Sequence, residues 1–284
     1  MKRYGWMGIV LLWMGWNPAQ FARAQEFCVV TKVFNEGDQL PTADKSHLLV
    51  QSLTIFHAGK VYDYLDGIKE VTILEPAHNR VTLLSVNRLL ATTVDFDEIR
   101  NLQNVARNET EKYIGELQRK PGPETDKAIE ILKFHWNPKF DEQYDAMQRR
   151  LQLTSRYFRY QVLVAQTQEP EIVKAYLEYA DRTAQLNSVL HPRSLPPGPR
   201  MMLNESLRAR NLIPLEVKLW ADLESDLHLR AKHQFNWELD DTDRRSIQSW
   251  DMLLKDRNVK YVAFADYQRA VNVVTQVPKP GSTR

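Results

Sequence analysis

Cysteine is all but missing from this chain. Cys28 is the single thiol among 284 residues, so a disulfide framework within one chain is excluded. The residues before it, Gln25-Glu26-Phe27, are not the small-residue box of a lipidated cysteine. Cys28 is therefore expected as a buried thiol on a strand, with an intermolecular bridge as the other option. An excess of charge of one sign is absent too, and so is any basic run. Nucleic acid is not indicated as a partner, nor an anionic membrane. Beyond the N-terminus no apolar run is long enough to span a bilayer. G-x-S-x-G, H-E-x-x-H, G-x-x-x-x-G-K and G-x-G-x-x-G do not occur, which removes the common hydrolase, zinc-protease and nucleotide signatures. The histidines show no ligand-type spacing, so no metal and no cofactor is expected.

What is present begins with a leader. Lys2 and Arg3 precede an uncharged, mostly apolar run from Gly5 to Trp16, and Ala22-Arg23-Ala24 offers an A-x-A cleavage site. This is the layout of a secretory signal peptide over residues 1–24, which makes the protein exported, periplasmic or secreted. Loss of Lys2, Arg3 and Arg23 takes the formal charge from +2 to −1. The remainder reads as one α+β domain over 25–267, divisible into packed halves at 25–168 and 169–267. A disordered tail is expected over 268–284.

The centre of the reading is a meander from Leu48 to Val94. Short strands alternate with tight turns at Ala58-Gly59-Lys60, Asp66-Gly67, Pro76–Arg80 and Val86-Asn87-Arg88. Connections this short join antiparallel neighbours. Within Val61–Leu65 the two tyrosines share one face, and aliphatics share the other with Asp63. Both faces of this part of the sheet are then expected to be covered. A helix follows from an Asp95 N-cap with Glu98 three residues on, its core face carrying Phe96, Ile99, Leu102, Ala106, Tyr113 and Leu117. A second helix runs from Thr125 to His135. Residues 140–147 read as a turn or short helix.

Two hairpins come later. Phe158, Tyr160, Val162 and Val164 share one strand face, as do Leu227, Leu229, Ala231, His233, Phe235 and Trp237 on the last hairpin. Helices are expected over Pro170–Leu190, over Met201–Arg210 with Asn211 at its end, and from Asp240 or Asp241 to about Lys255. The proline-rich stretch His191–Arg200 reads as an ordered connector. The sum is a curved antiparallel sheet, an incomplete-barrel-like meander, covered by helices on one face.

Seven residues are candidates for a binding surface: Tyr62, Tyr64, Phe158, Tyr160, His233, Phe235 and Trp237. All lie on strands, and a helix-covered curved sheet can leave a cavity lined by such rings. The competing reading is that the rings fill the core. His228 and His233 are an odd number of positions apart on one strand, so they face opposite ways and share no ion. The sequons at Asn108 and Asn204 fall inside expected helices and read as accidental.

The segment Ile55-Phe56-His57-Ala58-Gly59-Lys60-Val61-Tyr62-Asp63-Tyr64, with Val71-Thr72-Ile73 after it, resembles a hairpin of the bacterial outer-membrane lipoprotein carrier family. The likeness covers about forty residues. It implies an exported protein in which an incomplete barrel is closed by helices over an apolar cavity for acyl chains. It also implies that Tyr62 and Tyr64 line that cavity. The expected function is thus a non-enzymatic envelope protein that binds an apolar small molecule or lipid, or a protein partner. The alternatives are a hydrolase built on an unfamiliar acid and His57 or His233, and an assembly module acting through its surface.

Overall fold

The computed structural model describes residues 26–36, 48–191, 194–222 and 226–272. The expected leader lies outside them. The first strand, β1 (Phe27–Asn35), is followed by the meander β2 (Leu48–His57), β3 (Lys60–Leu65), β4 (Glu70–Glu75), β5 (Arg80–Ser85) and β6 (Leu90–Asp95). Helices α1 (Phe96–Leu117) and α2 (Pro123–Trp136) come next, then β7 (Asp141–Asp145), β8 (Arg150–Thr154) and β9 (Phe158–Gln166). Helices α3 (Pro170–Leu190) and α4 (Pro197–Ala209) precede the hairpin β10 (Leu212–Asp222) and β11 (Asp226–Asn236). The described chain ends with α5 (Asp241–Leu253), β12 (Lys260–Tyr261) and α6 (Phe264–Asn272).

All twelve strands form one open sheet in the order β12-β6-β5-β4-β3-β2-β1-β11-β10-β9-β8-β7. Every pair is antiparallel except β12 with β6. The protein is therefore α+β, with an antiparallel sheet that does not close into a barrel. Local chemistry explains the meander. The β2–β3 loop has two residues, Ala58 (φ 49°) and Gly59 (φ 74°), both left-handed as the natural twist of a tight hairpin demands. Lys69, Asn79 and Leu89 take left-handed positions just before the returning strands β4, β5 and β6. The two halves of the sheet are joined by β1. It pairs with β2 on one side and with the distant β11 on the other.

Each strand sends alternate side chains to opposite faces. On the inner face, Phe27, Val29, Phe56, Val61, Leu74, Leu83, Phe158, Tyr160, Val162 and Leu219 bury against α1, α3, α4, α6 and part of α2. A second, smaller core lies on the other face. There Cys28, Ile55, Tyr62, Val71, Ile73 and Leu84 meet Ile247 and Trp250 of α5. The double-sided covering expected at Val61–Leu65 is thus present, and α5 is the element that supplies it.

Several local expectations are corrected. Residues 141–145 form an edge strand, not a turn or helix; their charged side chains hide the strand pattern while shielding an open edge. Helix α4 begins at Pro197, four residues early, because prolines suit the first turn of a helix. Helix α6 carries the ordered chain through 268–272, residues assigned above to the tail. On α1 only Phe96, Ile99 and Ile114 are buried, while Leu102 and Tyr113 face solvent. Asp95 makes no side-chain cap there, whereas Asp240 forms a full capping box with Asp243 on α5.

Candidate functional site

The seven candidate residues do not line one surface. Tyr62 and Tyr64 point away from the inner face, because the alternation that buries Val61 and Asp63 beneath α3 sends both tyrosines outward. Their rings lie 6.2 and 5.4 Å from Trp250 of α5, and the Tyr62 hydroxyl reaches the Asp251 carboxylate. The idea that they line an inner cavity is therefore corrected. Phe158 and Tyr160 pack inside, beside Phe134 and Phe140.

His233, Phe235 and Trp237 belong to a third group, and this one has a consequence. Phe235 contacts Tyr176 of α3 on one side (5.1 Å) and Trp237 on the other (5.5 Å). Trp237 reaches Phe27, Phe27 stacks on Phe56 at 4.1 Å, and Phe56 meets the edge of Tyr179 at 5.7 Å. Tyr179 returns to Tyr176, one turn back on α3. Six rings from β1, β2, the end of β11 and α3 thus close a circuit that fixes the helix to the sheet.

At one end of this circuit the sheet and helix part. A cleft of about 560 Å³ opens between the β2–β3 hairpin and α3. Phe56, Val61, Leu74, Ala175 and Tyr179 give it an apolar floor. Lys60, Glu171, Lys174, Glu178 and Arg182 stand at its margin. Lys60 is held by Glu75 at 2.9 Å, and Glu75 also accepts from Arg80 at 2.7 Å. These hydrogen bonds, countered in part by burial, hold the Glu75 carboxyl down at about 2. The Arg182 guanidinium lies 4.1 Å over the Phe96 ring and, among the described residues, forms no ion pair with a carboxylate.

Behind the floor is a small polar cluster. The Thr54 hydroxyl donates to Asp63 at 2.8 Å, and Tyr179 lies 3.2 Å from Thr54. Burial raises the Asp63 carboxyl to about 6 despite the Thr54 and Tyr179 hydrogen bonds. Deeper inside, His233 Nδ1 lies 3.0 Å from the Thr31 hydroxyl and 3.4 Å from that of Tyr176. Burial, with help from Arg200, lowers His233 to about 3. It is neutral near pH 7, and no carboxylate touches it among the described residues. His57 is different: it lies at the cleft, 2.7 Å from Glu26, which also binds Arg244. No Ser, Thr or Cys is among the residues lining the cleft.

A larger cleft of about 680 Å³ lies between α1, α2 and β7–β9. Its walls carry Arg107, Glu111, Glu130, Lys133 and Lys139, and the Arg156–Glu130 pair spans part of it. Ile114, Phe134, Trp136, Phe140 and Tyr157 also belong to that lining. Among the described residues no three His, Cys, Asp or Glu side chains are grouped to hold a metal ion, and no helix is long and apolar enough to cross a membrane. Asn204 of the second sequon is fully buried and donates to Asp181, so a glycan has no access to it.

Sequence reasoning missed α3 as a wall of the site. Tyr176 and Tyr179 are three apart on one helical stripe, a spacing that places both toward the sheet. Nothing local says which strands they meet. Compared with protein-family models and with curated proteins, the sequence matches none.

Proposed function

We propose that the protein is a non-enzymatic binding protein for an anionic amphiphile, a molecule with an apolar chain and a negatively charged head. The observation that carries this reading is the cleft at the β2–β3 hairpin, with its apolar floor and a charged margin in which Arg182 forms no ion pair with a carboxylate among the described residues. An apolar chain laid over Phe56, Val61, Leu74 and Tyr179 gains about 25 cal/mol per Å² of surface removed from water. A carboxylate or phosphate at the mouth meets Arg182 and Lys174. Arg182 suits this role because its guanidinium is already oriented by Phe96 and has donors to spare. An export signal, expected at the N-terminus from its sequence, would accord with a binding protein of the envelope or the cell exterior.

The test is a thermal-shift and binding series with palmitate, lysophosphatidylglycerol and the uncharged monoacylglycerol. A saturating ligand at a hundredfold its Kd adds about 2.7 kcal/mol to stability. Ala175→Trp, which plugs the cleft, is expected to abolish binding while the protein stays folded. Arg182→Glu is expected to weaken the charged ligands and spare the neutral one. If none of the three ligands raises the melting temperature, or if the plugged variant binds as well as the parent, the reading is wrong.

The His57–Glu26 pair at the same cleft supports a second reading, hydrolysis of an ester by a water that His57 deprotonates. Turnover of acyl p-nitrophenyl esters that disappears in His57→Ala would favour it. Equal background rates for the two proteins would remove it.

A further inference from the structure

Three arginines lie on or just beyond α4, and two are matched by carboxylates. Arg208 is 2.6 Å from Asp181, and Arg210 is 2.5 Å from Glu142. Arg200, in the first turn, is the exception. It is half-buried, and its guanidinium reaches the Tyr176 hydroxyl and lies near Tyr160 and His233. Among the described residues it forms no ion pair with a carboxylate. Asp63 lies near Tyr176 from the other side, but its partners are Thr54 and Tyr179. A guanidinium keeps its proton in a protein, so a half-buried one without a counter-charge is held at a cost.

A second donor stands unused in the same group. His233 Nδ1 has two hydroxyl neighbours, Thr31 at 3.0 Å and Tyr176 at 3.4 Å. Both are able to donate to it, which favours the tautomer with its proton on Nε2. That Nε2 is buried and has no partner among the described residues. Buried polar groups are nearly always bonded, so this one calls for an acceptor. Two donors, one of them permanently charged, with no acid between them suit an anion.

The sheet beside these donors is apolar and only half covered. Register sets Thr31 beside His233, and the next inward-facing row places Val50, Val33 and Ala231 side by side. Val33 and Ala231 are half-buried, and Val50 is 42% exposed. Farther along the same row, Val217 and Val162 are sealed under the helices. The helical cover therefore stops short at β11, β1 and β2. A planar carboxylate matches the paired donors of a guanidinium, and an aliphatic body matches the valines.

We propose that Arg200 and His233 Nε2 bind the carboxylate of a small organic acid, whose aliphatic body lies on Val33, Val50 and Ala231. This place is distinct from the cleft at the β2–β3 hairpin, because Val33 and Val50 lie toward the opposite ends of β1 and β2 from Phe27 and Phe56. It stands whether or not that cleft takes a ligand.

The experiment is a titration of the full chain, isotope-labelled at histidine, with hexanoate, hexanol and inorganic phosphate, read by NMR and by melting temperature. The His233 signal is identified by its absence from His233→Gln. Hexanoate is expected to shift that signal and to raise the melting temperature, and the other two compounds are expected to do neither. Arg200→Gln removes charged hydrogen bonds to the carboxylate and should weaken hexanoate about tenfold or more. Without ligand it should melt no lower than the parent, because the charge it removes has no counter-charge in the protein. Ala175→Trp, which fills the other cleft, should leave the response of His233 unchanged. An unmoved His233 signal would overturn the assignment. So would phosphate binding as tightly as hexanoate, full affinity in Arg200→Gln, or loss of the His233 response in Ala175→Trp. A ligand-free Arg200→Gln protein that melts well below the parent would also overturn it, by making Arg200 a structural partner of Tyr176.

Discussion

Thr54 and Asp63 face each other across the β2–β3 pair, and the Thr54 hydroxyl donates to the Asp63 carboxylate at 2.8 Å beneath α3. The carboxyl is buried under the floor of the candidate cleft. One hydroxyl pair does not replace the water it has lost, and its titration is displaced upward to about 6 from an ordinary 3.8.

That displacement fixes a pH dependence. Between about pH 4 and 6 the native state binds a proton that the unfolded chain has released, so stability falls as pH rises. The contribution of Asp63 is most favourable below its ordinary value and is lost through the folded one, with an upper limit of about 3 kcal/mol. Asp63→Asn keeps an acceptor for Thr54 and cannot ionise. Urea unfolding of both proteins from pH 4 to 7 should show the variant gaining on the parent as pH rises. Parallel curves would show that the carboxylate is not desolvated as described.

The Cys28 thiol is expected to be inert. It is buried, its Sγ lies 3.6 Å from an Asp243 carboxylate oxygen, and burial raises its pKa to about 11. Thiolate is the reactive form, so little is available near neutral pH. Native protein incubated with iodoacetamide at pH 8 should remain unmodified by mass, while urea-unfolded protein should take up one adduct. Rapid native labelling, or a disulfide-linked dimer on non-reducing gels, would contradict this placement.

Legibility in the sequence followed the range of the interactions involved. The meander was readable because its determinants are local: Gly59 in a two-residue loop and period-two alternation on each arm. Helix α3 was readable from end to end, since Pro170 marks its first turn and the apolar stripe runs to Leu190. The partner of β1 was not. Its pairing with β11 spans some two hundred positions, and no residue of either strand announces the other. The ring circuit depends on that pairing, so nothing local in the sequence sets Phe27 and Phe56 beside Phe235 and Trp237. Strand alternation puts Tyr62 and Tyr64 on one face, but which helix meets that face is a tertiary fact.

The outer core should respond strongly to loss of Trp250. Its ring covers Tyr62 and Tyr64 and is among the few large side chains α5 buries. Trp250→Ala is expected to cost about 3–5 kcal/mol in urea unfolding. Tyr62→Ala should be costly as well, and the double variant should lose less than the two single losses combined, because they share one contact. Strict additivity would mean that α5 does not seat on these tyrosines.

Gly198 ties the proline-rich connector to the rest of the protein. It sits in the first turn of α4, where a β-carbon would fall on the carbonyl oxygen of His135 at the end of α2 and crowd Pro138. The obstacle is backbone and cannot rotate away as a side-chain tip would. Gly198→Ala must therefore push α4 from α2, at a cost of about 1–3 kcal/mol typical of overpacking. Gly115, in α1, has open space at the same position. Gly115→Ala should instead stabilise by up to about 1 kcal/mol through helix propensity. Thermal unfolding of the two variants side by side distinguishes a packed connector from a loose linker: a loose linker would leave Gly198→Ala as stable as the parent.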